Sequence, residues 1–407
     1  MFKITIPNNN TNERKYILDV IFSEFLGLEY ELKTGSNNYE IGLENGKILS
    51  IKDTFFNKYP ADLSYLKLEN IPDKITDLDI FSSCFFMLTR WEEYVNKNRD
   101  FHNRFPATES LAFKQDFLDK PIVNELVERL KIMLLDTDNS LVFKKNKPHI
   151  YLTHDVDELY MWKGWRHVSR VAMGDILKRK SISLAISRFI EYKNINQGRM
   201  KDPFDTFDWL MKKSESIGVK SHFYFMSGGV TEYDNRYDIN ELKCLSLIEK
   251  IKQRGHIIGL HPSYNAYNNK DQFKLEKDLL QKIVGQEIAE GREHFLRFEV
   301  PTTWQMWSDA GMKIDSTCGY ASHFGFRCGT GNMFSVFNIL TRKKLFLKER
   351  PLVVMDSTLL GYQKLSIEAA KAVVDGIKLQ NTSFTILWHN SQITQIELYS
   401  HLVGESD

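Results

Sequence analysis

The sequence has no stretch able to cross a bilayer as a helix. Its longest apolar run, Ile80 to Leu88, contains two serines and ends at Arg90, far short of the ~20 apolar residues a span requires. It also lacks a surplus of either charge. With 54 basic against 53 acidic side chains, a general electrostatic grip on nucleic acid or an anionic membrane is not expected. Cysteine is scarce: Cys84, Cys244, Cys318 and Cys328 include no CxxC pair and are too few for a disulfide framework, so buried, reduced thiols are expected. The opening residues, MFKITIPNNNTNERKYILDV, lack the basic-then-apolar order of a secretory leader, and the expectation is a cytoplasmic protein. There is no internal repeat and no low-complexity tract.

What is present is the composition of a packed protein, 42% hydrophobic and 13% aromatic, on a chain long enough for two domains. The first part reads as mixed α/β. Residues 14–26 carry a helical apolar stripe (Ile17, Ile21, Phe22, Phe25) that stops at Gly27. Strand-like YELKT, YEIGL and KILSIKD follow, separated by turn residues. A helix is expected from Asp77 through Tyr94, and another after Pro121, which suits a first helical turn. Between them runs RDFHNRFPATESLAFKQDFLDKP, a polar and aromatic loop too long to be an idle connector. Residues 136–147 make the best linker, so the expected organisation is a domain over residues 1–146, of unknown function, and a second over 147–407.

The second part changes character. HIYLT, SHFYFM, HIIGL, HFLRFEV and SFTILWH are short runs rich in β-branched and aromatic residues, each a buried-strand candidate. Helices fit FDWLMKKSESI and ELKCLSLIEKIKQR between them, ending at Gly218 and Gly255. Alternation of strands and helices predicts parallel β/α architecture, in which chemistry gathers at the C-terminal ends of strands. Those ends hold Asp155 and Asp157, His261, Arg297, and His389 with Asn390, and Asp315 stands before the loop carrying His323 and Arg327. Each alone reads as a cap or hydrogen-bonding residue; together they point to a site.

In their order these motifs resemble those of the polysaccharide deacetylases, the chitin and peptidoglycan deacetylase superfamily. Thr153-His154-Asp155-Val156-Asp157 is similar to their first motif, Gly255-His256-Ile257-Ile258-Gly259-Leu260-His261 to their second, Arg297 with Pro301 to their third, Asp315 to their fourth and Leu387-Trp388-His389 to their fifth. The likeness covers about residues 148–392. The segment from Phe81 to Val123 resembles an uncharacterised domain that precedes such deacetylases in bacterial glycan-associated proteins, which assigns it no function.

The resemblance implies a deformed (β/α) barrel that removes an acetyl group from an amide of a carbohydrate with the help of a divalent metal, zinc first. Asp155 would be the general base, Arg297 its orienting partner, His389 the acid for the leaving amine, and Asp315 the group setting its charge or orientation. Asp157 and His261 would hold the metal, and Asn265 stands where the family places a second imidazole. A neutral amide oxygen is a poor zinc ligand, so three possibilities stay open: a weakened site, a donor recruited elsewhere (His154, His222 or His323), or no metal. Trp304, Tyr320 and Arg327 are the candidate substrate contacts, and Trp162, Trp165 and Trp307 could also stack on sugar rings. The expected partner is an N-acetylated sugar or glycan precursor. Two alternatives are a catalytically degenerate glycan-binding or assembly protein, which the Asn265 departure favours, and a metal-independent amidohydrolase.

Overall fold

A computed structural model describes residues 2–404, apart from Asn146, Asn235, Arg236 and Ile393. Asn146, the last residue of the expected first domain, therefore lies outside the described residues. Among the described residues the strands form two sheets. The smaller is built from β1 (Phe2–Ile6), β2 (Tyr30–Thr34), β3 (Tyr39–Gly42) and β4 (Ile48–Ile51), in the order β2-β1-β3-β4. β1 and β2 pair in parallel, and the crossover this needs is the helical stretch Thr11–Leu18 and Asp19–Leu26, ended by Gly27 in the left-handed region at φ 69°. The helix expected from Asp77 to Tyr94 starts later and is broken. Asp79 caps it by accepting from the Ser82 backbone N–H, all ten residues of Ile80–Thr89 are buried, and Arg90 at φ 53° turns the chain into a short helix, Trp91–Val95. The sequence pattern does not reveal these limits because a fully buried helix is apolar all round and shows no stripe.

The larger sheet holds nine strands: β5 (Ile150–Val156), β6 (Ser221–Phe225), β7 (Ile257–Leu260), β8 (Glu290–Gly291), β9 (Ile314–Asp315), β10 (Phe334–Asn338), β11 (Lys343–Glu349), β12 (Leu352–Met355) and β13 (Phe384–Leu387). Their order is β10-β11-β9-β8-β7-β6-β5-β13-β12. Every pairing is parallel except the β10–β11 hairpin. The chain proves that this sheet curls. β11 and β12 stand seven strand spacings apart in the order, roughly 34 Å if flat, yet only Arg350 and Pro351 join them. Three Cα steps reach about 11 Å at most. β11 and β12 are therefore a nearly continuous strand that brings the two sides of the sheet round to each other.

One expected strand is absent from its place. HFLRFEV is not extended: Phe295 and Leu296 take left-handed conformations, φ 59° and 55°, and the sheet position is filled by the two residues of β8 just before it. Gly291 explains the tightness, since a Cβ there would meet the Leu260 carbonyl oxygen at 2.0 Å, and only glycine allows that approach.

Most buried side chains of the two sheets belong to one continuous cluster, while Leu352, Met355 and Leu387 at the ends of β12 and β13 pack with Leu296 and Ala321 in a second, smaller one. Tyr16 stacks on Phe337 with ring centroids 4.7 Å apart, and its hydroxyl donates to the Ser335 carbonyl at 2.9 Å. Arg342 forks onto Glu13, and Arg327 onto Glu93. No described helix is long and apolar enough to cross a membrane.

Candidate active site

The C-terminal ends of β5, β7, β12 and β13, with the chain just past β8, open into one small cavity of about 160 Å³. Asp155 and Asp157 reach it from β5, His261 from β7, His294 from beyond β8 and His389 from β13. Alternation along an extended chain explains the first two, because residues two apart face the same way.

Asp155 is held by a buried guanidinium: Arg292 Nη1 donates to its Oδ1 at 2.8 Å. Arg292 is itself fixed, donating through Nε to the Ser316 carbonyl at 2.8 Å and through Nη2 to Ser316 Oγ at 3.0 Å. This is the place expected for Arg297, and the structure corrects the assignment. Arg297 lies between the rings of Tyr264 and Tyr267, 4.0 Å from each centroid, and donates to the carbonyls of His102 and Tyr264 and to Asn265 Oδ1. It makes no contact with Asp155 and instead ties the segment around His102 to the rim. Asn265, expected as a metal ligand, has its side-chain oxygen taken by that guanidinium.

The third imidazole comes from His294, which stands outside the motifs. Donor atoms of Asp157, His261 and His294 lie within 4.8 Å of one another. His261 Nε2 stands 3.3 Å from Asp157 Oδ1, and His294 Nε2 stands 3.9 Å from the same oxygen. Ligands around a tetrahedral zinc sit about 3.3–3.5 Å apart. The wider second distance calls for only a small adjustment. His261 Nδ1 donates to the Arg292 carbonyl at 2.6 Å, which fixes the ring with Nε2 towards Asp157. Burial opposes its charge, but Asp155 and Asp157 raise the imidazole above its ordinary value, so a cation bound there would take the place of the Nε2 proton. Asp157 Oδ1 is buried without a hydrogen-bond partner, as is His294 Nδ1. Burial opposes the charge on Asp157, but His261, His294 and His389 outweigh it and hold the carboxyl well below the usual carboxylate range. Burial lowers His294 to about 4 against the pull of Asp157, so it is neutral, the ligating form, at ordinary pH. Two imidazoles and one carboxylate with an orphaned oxygen fit a divalent cation.

The histidines considered as replacement donors are engaged elsewhere. His154 bonds to the Trp388 carbonyl and Ser221 Oγ, and burial lowers it to about 3. His222 bonds to Glu290, and His323 to Ser322.

His389 is oriented by Asp356, not by Asp315. Its Nδ1 donates to Asp356 Oδ1 at 2.7 Å and its backbone N–H to Oδ2 at 2.7 Å. Burial works against its charge, but Asp356 first and then Asp157 and Asp155 raise it to about 10. It is therefore a charged donor with Nε2 turned to the cavity. Asp315 lies deep beside Thr317, whose N–H and hydroxyl it accepts, and burial raises it to about 7 in spite of those bonds. Asp356 ends LVVMD, an apolar run into a carboxylate, the same signal that singles out the other strand ends.

The expected substrate contacts divide. Trp304 and Trp307 are wholly buried, their indoles donating to Glu349 and Glu293. Neither reaches the cavity. Arg327 is buried and committed to Glu93 at 2.5 Å and 2.9 Å. With Tyr320 it walls a neighbouring pocket of about 210 Å³, which shares Arg104, Leu296, Ala321 and Tyr362 with the first. Arg104 belongs to the long polar loop of the first part of the chain. Its Nε is held by Asp100 at 2.8 Å and its Nη1 by the Phe295 carbonyl at 3.1 Å. His102 from the same loop meets the Tyr264 hydroxyl at 3.0 Å. The loop thus forms part of the wall of the site.

Residues 2–139 match a family of unknown function, DUF7033. No curated protein matches the chain. Among solved structures, a Mycobacterium smegmatis protein assigned as a polysaccharide deacetylase is similar at 12% identity and a TM-score of 0.40, over 65% of this chain and 85% of that one. A mutant of a CE4 family pseudoenzyme with restored enzymatic activity is similar at 10% identity and a TM-score of 0.28, over 60% of this chain and 67% of that one. These likenesses are distant.

Proposed function

We propose that the chain hydrolyses a non-peptide carbon–nitrogen bond, removing an acetyl group from an amide of a carbohydrate or glycan precursor. The observation that carries this reading is the convergence on one cavity of a guanidinium-held carboxylate, a donor set for a divalent ion and a charged imidazole. Asp157, His261 and His294 would hold the metal, which when bound acts as a Lewis acid on the amide carbonyl and acidifies water. Asp155, kept in place by Arg292, accepts the proton of the attacking water. His389, positioned by Asp356, delivers a proton to the departing amine nitrogen. Leu296, Ala321, Met355 and Leu387 line the cavity beside these groups, and such apolar walls suit a small acyl group. The neighbouring pocket past Arg104 offers room for the rest of the substrate.

Asn265 by itself favours a degenerate, non-catalytic protein, but His294 supplies the donor whose absence that alternative requires. The experiment is elemental analysis after zinc loading and dialysis against chelator, together with turnover on N-acetylated sugars. Wild type and Asn265→His should retain about one zinc, and His294→Ala should retain far less and lose turnover. Metal retention unchanged in His294→Ala would remove the proposed ligand set. Turnover by metal-free wild type would favour the metal-independent amidohydrolase.

A further inference from the structure

The chain leaves β5 at the mouth of the site and spends some fifty residues outside the sheet before the helix Phe207–Ser216. Within this excursion the helices Trp165–Leu177 and Ile182–Asn196 pack on each other as an antiparallel hairpin. The hairpin is well built. Val168, Ala172 and Ala185 are buried. Buried Asp175 binds Arg179 at 2.6 Å and Arg188 at 3.3 Å. Ser181 caps the second helix by accepting from the Leu184 N–H.

Its outer face is not that of a helix facing water. Trp165, Met173, Leu177, Ile182, Ile186 and Ile190 are each 54–70% exposed, and the four-residue spacing of the three isoleucines lays them in one stripe. Basic residues surround them: residues 165–196 carry seven lysines and arginines against two acidic side chains, in a chain that is otherwise balanced. Arg166 and Arg170 are exposed on the first helix of the hairpin, and Lys178-Arg179-Lys180 forms the exposed tip.

An apolar stripe with basic margins and a tryptophan at its edge matches the interface of a bilayer bearing anionic headgroups, where apolar side chains enter the acyl boundary and cations meet phosphates. We propose that this hairpin is a docking face for an anionic lipid surface, holding the protein on the bilayer without crossing it. A second copy is a poorer occupant, because pairing the face with itself would bring the basic margins together. The near-zero charge of the whole chain conceals this local excess.

The hairpin is joined to the mouth. Asp202 accepts from the Met161 and Trp162 N–H groups, and Asn390, next to His389, donates to the carbonyls of Glu158 at 2.7 Å and Phe204 at 3.0 Å. Both feet are thus pinned to the strand end that carries His389, so docking brings the cavity close to the lipid. The inference does not depend on the hydrolase reading.

The test is flotation of the full chain with phosphatidylcholine vesicles, with or without about a third phosphatidylglycerol, at low and raised salt. The protein should float with the anionic vesicles only, and less so in salt. Ile182→Ser/Ile186→Ser and, separately, Lys178→Gln/Lys180→Gln should each lower binding about tenfold or more, with circular dichroism and turnover on a soluble amide unchanged. Wild type that stays unbound, or variants that float as well as wild type, would overturn the proposal. A dimer that the isoleucine variant dissolves, with no vesicle binding, would replace it with self-association.

Discussion

Two clusters of ionisable residues sit inside the curled sheet, and they are built on opposite principles. Towards the starts of the strands, Glu290 is bound by His222 at 2.6 Å and Arg350 at 3.0 Å, with Tyr224 donating at 3.0 Å. Burial opposes the charge of Glu290, but Arg350 and His222 hold its carboxyl well below the usual range. Arg350 Nε is the one buried polar atom of these four residues without a partner. At the strand ends, Asp157 Oδ1 and His294 Nδ1 are both unpartnered, and the donor separations of 3.3 Å and 3.9 Å leave room for an ion between them. The floor is neutralised from within and serves the fold. At the mouth Asp155 and His389 are held by Arg292 and Asp356, while Asp157 and His294 keep donor atoms that no protein group satisfies. Residue types alone do not separate them, since both use carboxylate, imidazole and guanidinium.

The sharpest way to test this contrast is Asp155→Asn. Turnover per folded molecule should fall ~10²–10⁴-fold, with zinc content close to wild type. Because the Asn amide oxygen still accepts from buried Arg292, the loss of stability should be smaller than for outright removal of the carboxyl. Unchanged turnover per folded molecule with a large loss of stability would mean that Asp155 belongs to the scaffold. The floor should respond in the opposite sense. Glu290→Ala leaves the Arg350 charge buried and unpaired, and denaturant unfolding should show a loss of about 3–5 kcal/mol, with the folded fraction still active. Equal loss of kcat per folded molecule would erase the distinction.

Arg104→Ala should have a smaller effect, raising KM about tenfold with kcat and zinc content little changed, because the guanidinium stands beside the substrate path and away from the reacting atoms. A kcat effect without a KM effect would place it among the catalytic groups. The gentlest probe is pH. Burial works against the charge on Glu93, but Arg327 and Arg90 lower it to about 2, against the ordinary 4.5. The stability it contributes should be complete above about pH 4.5 and be lost as pH falls towards 2. The difference in unfolding free energy between wild type and Glu93→Gln should shrink across that window, and a constant difference would show that the charge is not what stabilises.

Much of this is legible in the sequence because β5, β6, β7 and β13 are short apolar runs with the punctuation expected of buried strands. Asp155, Asp157, His261 and His389 follow from where those runs end, and the structure gathers all four. The third strand end misleads for a physical reason. β8 has two residues, too few for any periodicity, and the apolar segment just after it imitates a strand while its backbone turns left-handed. The motifs therefore point to Arg297 and Asn265 in place of Arg292 and His294, five residues off in one case and on another segment in the other. Glycine before Arg292 is the available clue, since a glycine in a sheet marks close approach of another chain segment. The stacking residues fail differently: large aromatics suit a sugar and a core equally well, and Trp304 and Trp307 are claimed by buried carboxylates. The hairpin escapes notice because its charge cancels in the chain-wide sum.

The loop that carries His102 and Arg104 across from the smaller sheet has a consequence for descent. It shapes the pocket without supplying a proton donor, a base or a metal ligand. If the proposed function holds, substitutions between Asp100 and Pro106 would redirect the protein to a new substrate while the groups proposed for hydrolysis stayed untouched. A lineage built this way can change what it recognises and keep what it does. Related chains should accordingly diverge in that loop sooner than at Asp155, Asp157, His261, His294 or His389.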